Sequence, residues 1–170
     1  MPRNRSERGS SVVEFTLAGI PAIFLMFSTV QLSMAMWNYH TLTYAVNEVA
    51  HYAAVRGQSC SANGNSCGTT VGTLAQQVAS SAIGVPADQV EVKFTTASGQ
   101  VTSCAPLANC YSNATAWPPS TNSDNSTGKN VTVSAKYRFP TFLAMFWPGA
   151  GLSKPGTITL TAASTQRVLF

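Results

Sequence analysis

Between Glu14 and Glu48 the chain carries 33 consecutive residues without a charge. Within this run, Phe15 to Trp37 supplies 23 residues dominated by Leu, Ile, Phe, Met and Val. A helix needs about 20 apolar residues to cross the hydrocarbon of a bilayer. The run therefore reads as a membrane-spanning helix, and every other part of the chain takes its place from it. The segment ahead of it is short and basic; the segment beyond it is long enough for one small domain.

Charge is scarce and unevenly placed. Charged residues make up 9% of the sequence, against about 25% in an ordinary soluble domain. Of the net charge of +4, the first nine residues contribute +2, through Arg3, Arg5 and Arg8 against Glu7. The other basic residues (Arg56, Lys93, Lys129, Lys136, Arg138, Lys154 and Arg167) are scattered. A nucleic-acid-binding face needs them clustered, so no nucleic-acid partner is expected. Arginines flanking a span keep that flank in the cytoplasm. The reading is then a single-pass membrane protein with its N-terminus cytoplasmic and its C-terminal domain exported.

Cysteine placement agrees. Cys60, Cys67, Cys104 and Cys110 all lie beyond the span and none precedes it. An even number on the exported side points to two disulfides. Three pairings are possible; local pairing of Cys60 with Cys67 and Cys104 with Cys110 is expected, because each closes a short loop rich in Gly, Asn and Ser. The competing zinc site fits poorly, since the spacings are wider than the two-residue knuckles zinc favours. No metal and no cofactor is expected.

Periodicity divides the rest. Residues 1–9 form a polar leader. A helix starts near Ser10 or Ser11, where either hydroxyl can cap it. Pro21, with Gly19 close by, predicts a kink inside the span. Beyond the span, Leu42, Val46, Val49 and Ala53 form one apolar stripe, with His40, Asn47 and His51 on a more polar face. The helix thus continues to Arg56, ahead of Gly57, for about 45 residues or roughly 70 Å. Residues 58–170 make the exported domain. A second helix is expected over Thr70–Ile83, ended by Gly84 and Pro86. Alternation then marks strands at Val90–Thr95, at Val131–Phe139 (stopped by Pro140), and from Thr157 to Val168. The Ser- and Asn-rich stretch 97–129 reads as a long connection, with Trp117 pinning part of it. Residues 141–147 are strongly apolar but too short to span. The expected fold is α+β: a long N-terminal helix, a second helix and a three-stranded antiparallel sheet.

Catalytic signatures are missing. No nucleophile elbow and no phosphate loop occurs. His40 and His51 are too far apart to share a metal. The sequons at Asn113, Asn125 and Asn130 fit chance in an Asn- and Thr-rich loop. A non-enzymatic protein is expected.

The sharpest motif is Gly9-Ser10-Ser11-Val12-Val13-Glu14-Phe15. A carboxylate at the edge of an apolar span costs free energy unless it reaches water or a partner. Cleavage after Gly9 supplies a partner, because Ser10 then carries a free α-amine that can pair with Glu14 of a neighbouring subunit. This motif, Pro21, the run Ala45 to Gly57 and the strand pattern through Thr157–Ser164 resemble the TadE-like pseudopilin family of tight-adherence (Flp) pilus systems, which are type IV pilin-like. The resemblance implies cleavage between Gly9 and Ser10 by a prepilin peptidase, with Glu14 and Phe15 serving processing or assembly. It implies a pseudopilin of the bacterial inner membrane, its domain periplasmic. It implies as partners the peptidase, other pilins or pseudopilins, and inner-membrane pilus assembly proteins. The four cysteines and the 97–129 insertion lie outside the family pattern.

Two other readings compete. Ser33-Met34-Ala35 offers a signal-peptidase site, giving a mature start at Met36. A membrane-anchored or secreted, adhesin-like binding module using the 97–129 loop is the alternative function.

Overall fold

The computed structural model describes residues 7–60, 67–141 and 156–169, with side chains from residue 12 onward. The apolar 142–147 stretch lies outside these residues. The elements in order are α1 (Glu7–Ala54), α2 (Val71–Ser81), β1 (Val90–Thr95), β2 (Val101–Cys104), β3 (Asn130–Thr141) and β4 (Gly156–Arg167), with short 3-10 turns between them. The chain divides into two units, Met1–Met36 and Trp37–Phe170.

Within the second unit, α1 buries the stripe read from the sequence. Leu42, Ala45, Val46, Val49, Ala50 and Ala53 are fully buried. Glu48, on the flank of that stripe, accepts hydrogen bonds from Gln77 and Ser81 of α2. On the other flank Asn47 Oδ1 accepts from Ser164 and Gln166 of β4. The Leu169 amide closes on the Ala54 carbonyl at 2.9 Å, where helical bonding runs out. Arg56 finishes the end as its charge suits: its guanidinium lies 3.4 Å from the Tyr52 ring centroid and donates to the Tyr52 carbonyl.

Helix α2 starts at a reciprocal cap. Thr70 accepts from the Thr73 amide while Thr73 Oγ1 accepts from the Thr70 amide. Val71, Leu74 and Val78 are buried, as is Ala82 just beyond the helix. Gly84, with a φ of 86°, turns the chain away. Gly72 has a different task. A Cβ there would lie 2.7 Å from the Tyr111 carbonyl and 2.9 Å from that of Asn113. Its own amide donates to Asn113 O at 2.9 Å, so α2 is pressed backbone to backbone against the 110–115 loop.

The sheet has four strands, not three, in the order β2-β1-β3-β4, with every pairing antiparallel. The additional strand, β2, comes from the stretch read as a loop. It is short, lies on an edge and buries only Cys104, so it shows no alternation. The expected strands alternate as read: Val90, Val92 and Phe94 of β1, and Val131 to Phe139 at every second position of β3, face the core. Pro140 does not stop β3, which runs on to Thr141 and pairs Pro140 with Thr157. The β1 ladder ends at Tyr137. At Pro140 the strand therefore has a neighbour on one side only, a place that tolerates a missing N–H.

The long 97–129 stretch is tied down at several points. Cys104 bonds Cys110, and Cys60 bonds Cys67, the expected local pairing. Trp117 is buried against Phe94, ring centroids 5.4 Å apart. Asp124 was not singled out by the sequence, yet it is 1% exposed. Its Oδ1 accepts from the Ser98 amide at 3.0 Å and its Oδ2 from the Ser98 hydroxyl. This holds the β1–β2 turn, in which Gly99 has a φ of 84°. Burial raises the Asp124 pKa, but the bonds from Ser98 and Thr96 and the charge of Lys129 outweigh it. The carboxyl is held below its ordinary value of 3.8.

Two substitutions test these contacts. Gly72→Ala should cost roughly 1–3 kcal/mol of stability, as an overpacked site does; denaturant unfolding of the full chain checks it, and an unchanged midpoint contradicts the close approach. Asp124→Asn should cost about 1–3 kcal/mol near neutral pH, because buried donors lose a charged acceptor. A carboxyl with a lowered folded pKa stabilises fully above its unfolded value and loses that contribution as pH falls through the folded one. The gap between wild type and Asp124→Asn should therefore narrow below pH 3.8. Thermal unfolding across that range reads it directly.

Candidate functional site

In the first unit, the apolar side chains described from Val12 to Met36 are exposed, apart from the half-buried Ala35. Phe15 and Leu17 are 77% and 78% exposed, and Ile20, Ile23, Leu25, Met26, Phe27 and Leu32 each more than half. The segment from Val12 is long and apolar enough to cross a membrane. Such a surface in a folded chain marks a membrane or a partner.

The hydroxyls on this surface behave as hydrocarbon demands. Thr16 donates to the carbonyls of Val12 and Val13, Ser28 to Phe24, Thr29 to Met26 and Ser33 to Thr29, over 2.7–3.1 Å. Each of these four hydroxyls folds back on the preceding turn and needs no water. Sequence reasoning passed over them, although a Ser or Thr inside a span is a readable signal for this back-bonding.

Against this background stand the motif residues. Helix α1 begins at Glu7, three residues before the expected start, so the backbone at Gly9 and Ser10 is helical. Val12, Val13, Glu14 and Phe15 are all exposed. Glu14 thus puts a carboxylate on the apolar surface, one helical turn from Ser10. Pro21 lies inside α1, where it withholds the amide that would bond the Leu17 carbonyl.

The other flagged residues stand apart. His40 and His51 are exposed on α1. Both cysteine pairs are oxidised and lie in the second unit. No group of His, Cys, Asp or Glu able to hold a metal occurs among the described residues. The second unit has an open cleft of about 510 Å³ lined by Asp88, Glu91, Pro106, Arg138 and Pro140. The Arg138–Glu91 ion pair in it spans 3.2 Å, but both partners are solvent-exposed, which makes such a pair worth little.

No curated protein and no solved structure matches the chain. A family model does, over the very segment that carries Gly9, Glu14, the apolar helix and the buried stripe. Across residues 9–51 the chain matches the family described as TadE-like protein, in agreement with the resemblance of its opening motif.

Proposed function

We propose that the chain is a non-enzymatic pseudopilin that supports assembly or secretion of a tight-adherence pilus. A prepilin peptidase removes residues 1–9, leaving Ser10 as the first residue and Glu14 as the fifth. The helix anchors the protein in the bacterial inner membrane, with the disulfide-bonded domain in the periplasm. Its partners are other pilins or pseudopilins and inner-membrane assembly proteins.

One observation carries this reading: the TadE-like match begins at Gly9, the proposed cleavage residue, and runs through Glu14 and the exposed apolar helix. Two further features support it. The hydroxyls of Thr16, Ser28, Thr29 and Ser33 on that helix are satisfied internally. Both disulfides lie beyond the span, where an oxidising compartment would form them. In this mechanism the helix supplies apolar packing between subunits, and Glu14 supplies the one strongly directional contact. Two unit charges paired within a low-dielectric bundle attract far more strongly than in water. A neighbour shifted along the helix leaves both charges unpaired, so the pair sets register.

Mass spectrometry of the protein isolated from membranes should find Ser10 at the N-terminus. A start at Met36 would overturn the reading, and an intact leader would reduce the protein to a plain membrane anchor. Glu14→Ala should abolish or strongly reduce processing or pilus assembly while both disulfides still form. Normal pili from that variant would remove the register role of Glu14.

A further inference from the structure

Among the described residues of the second unit, Ile83 is the most exposed large apolar side chain, at 67%. It stands in the turn that closes α2. Ala82 and Val85 on either side are buried, and the Val85 amide donates to the Ala82 carbonyl at 3.1 Å. Gly84 holds a φ of 86° between them. The backbone of the turn is thus fixed, with Ile83 outward at its tip. Single exposed apolar residues are ordinary on a protein surface. The neighbour sets this one apart. A Cβ on Gly84 would lie 3.8 Å from Trp37 Nε1 and 3.7 Å from Asn38 Oδ1. The tip therefore packs beside Trp37, which is itself 62% exposed.

Trp37 has two positions at once. It is the first residue of the second unit and the last of the apolar run from Phe15. The run has 23 residues, slightly more than the roughly 20 that cross the hydrocarbon. In an anchored chain, Trp37 then falls where hydrocarbon gives way to head groups. Trp and Tyr collect at this boundary, because the ring is apolar and its N–H or O–H can reach water. Tyr39 follows two residues later, roughly on the other side of the helix, and is 40% exposed. The turn beside Trp37 is also free of charge. No Asp, Glu, Lys or Arg occurs between Arg56 and Asp88, so no ion of α2 or its closing turn opposes contact with lipid.

We infer that Ile83 and Trp37 form one apolar patch that inserts at the boundary between head groups and acyl chains, giving the domain a second point of membrane contact at the end of α2. The inference rests on the membrane-anchored reading above and adds which surface of the domain meets lipid. Only residues of the second unit define the patch. Trp37 marks the level of the boundary, and the fold of that unit brings the α2 turn to Trp37. Ile83 gains there the apolar burial that the described protein does not give it. No cation accompanies it, so the contact is with the apolar boundary and needs no anionic lipid.

Depth-dependent quenching tests it on the full chain reconstituted in phosphatidylcholine vesicles. Ile83→Cys is labelled with the environment-sensitive fluorophore NBD through a maleimide that spares the four disulfide-bonded cysteines. Lipids with a nitroxide near the head of the acyl chain should remove about half of the emission or more, as for a group held roughly 5–10 Å into the boundary. Lipids with the nitroxide near the methyl end should quench less. The same label on Val101→Cys is the control. Val101 pairs with Thr95, at the end of β1 away from Val90 and the α2 turn, about 17 Å along the strand. It should be quenched by neither lipid. Peptide masses showing both native disulfides confirm that each labelled chain is folded. Water-like, unquenched emission from the Ile83 label would overturn the patch. So would a blue-shifted emission that neither lipid quenches, since protein would then cover the tip, and so would equal quenching at both sites. The anchored reading fails separately: release of the chain by alkaline carbonate overturns the anchor, whereas a chain that resists extraction yet leaves Ile83 unquenched overturns the patch alone.

Discussion

One strip of α1, from Leu42 to Ala53, is the surface against which the second unit is built. Its side chains are small or β-branched wherever they are buried, except Leu42. That lets α2 and β4 come close enough for Glu48 and Asn47 to make their hydrogen bonds. Burial of these apolar groups is the favourable term, and the two polar residues at the strip's margins fix where the neighbours sit. The same helix changes character upstream of Trp37, where large apolar residues cover every side. A single helix thus carries an exposed apolar surface in one part and a one-sided buried stripe in the other, and its composition changes between them.

Much of this was readable in advance because the physics is local. Thirty-three uncharged residues in a row admit few interpretations. The stripe at Leu42, Val46, Val49 and Ala53 and the alternation in β1 and β3 report burial on one side, and burial on one side is what was found. The short cysteine spacings favoured local bridges for the same reason: little chain lies between them. The opening motif was recognisable as a resemblance, and the match over residues 9–51 agrees with it.

What escaped depends on residues far apart in the chain. β2 carries one buried side chain, so its membership in the sheet is decided by pairing with β1 and not by its own pattern. The Ser98-Gly99 turn ahead of it was the available clue. Asp124 sits in a stretch of polar residues, where nothing nearby distinguishes it from its neighbours. Its role appears only when Ser98, 26 residues earlier, is folded against it. Pro140 misled because proline forbids a central strand, and whether a strand is central at a given residue depends on where its partner ends.

The back-bonded hydroxyls of the apolar helix have a consequence for recognition. Thr16, Ser28, Thr29 and Ser33 spend their protons on their own helix. Towards a neighbour they behave as small, nearly apolar bumps. In the assembly proposed above, such helices are told right from wrong mainly by the fit of ridges and hollows, which permits sliding between near-equivalent positions, and the Glu14 carboxylate is the feature proposed to stop the slide.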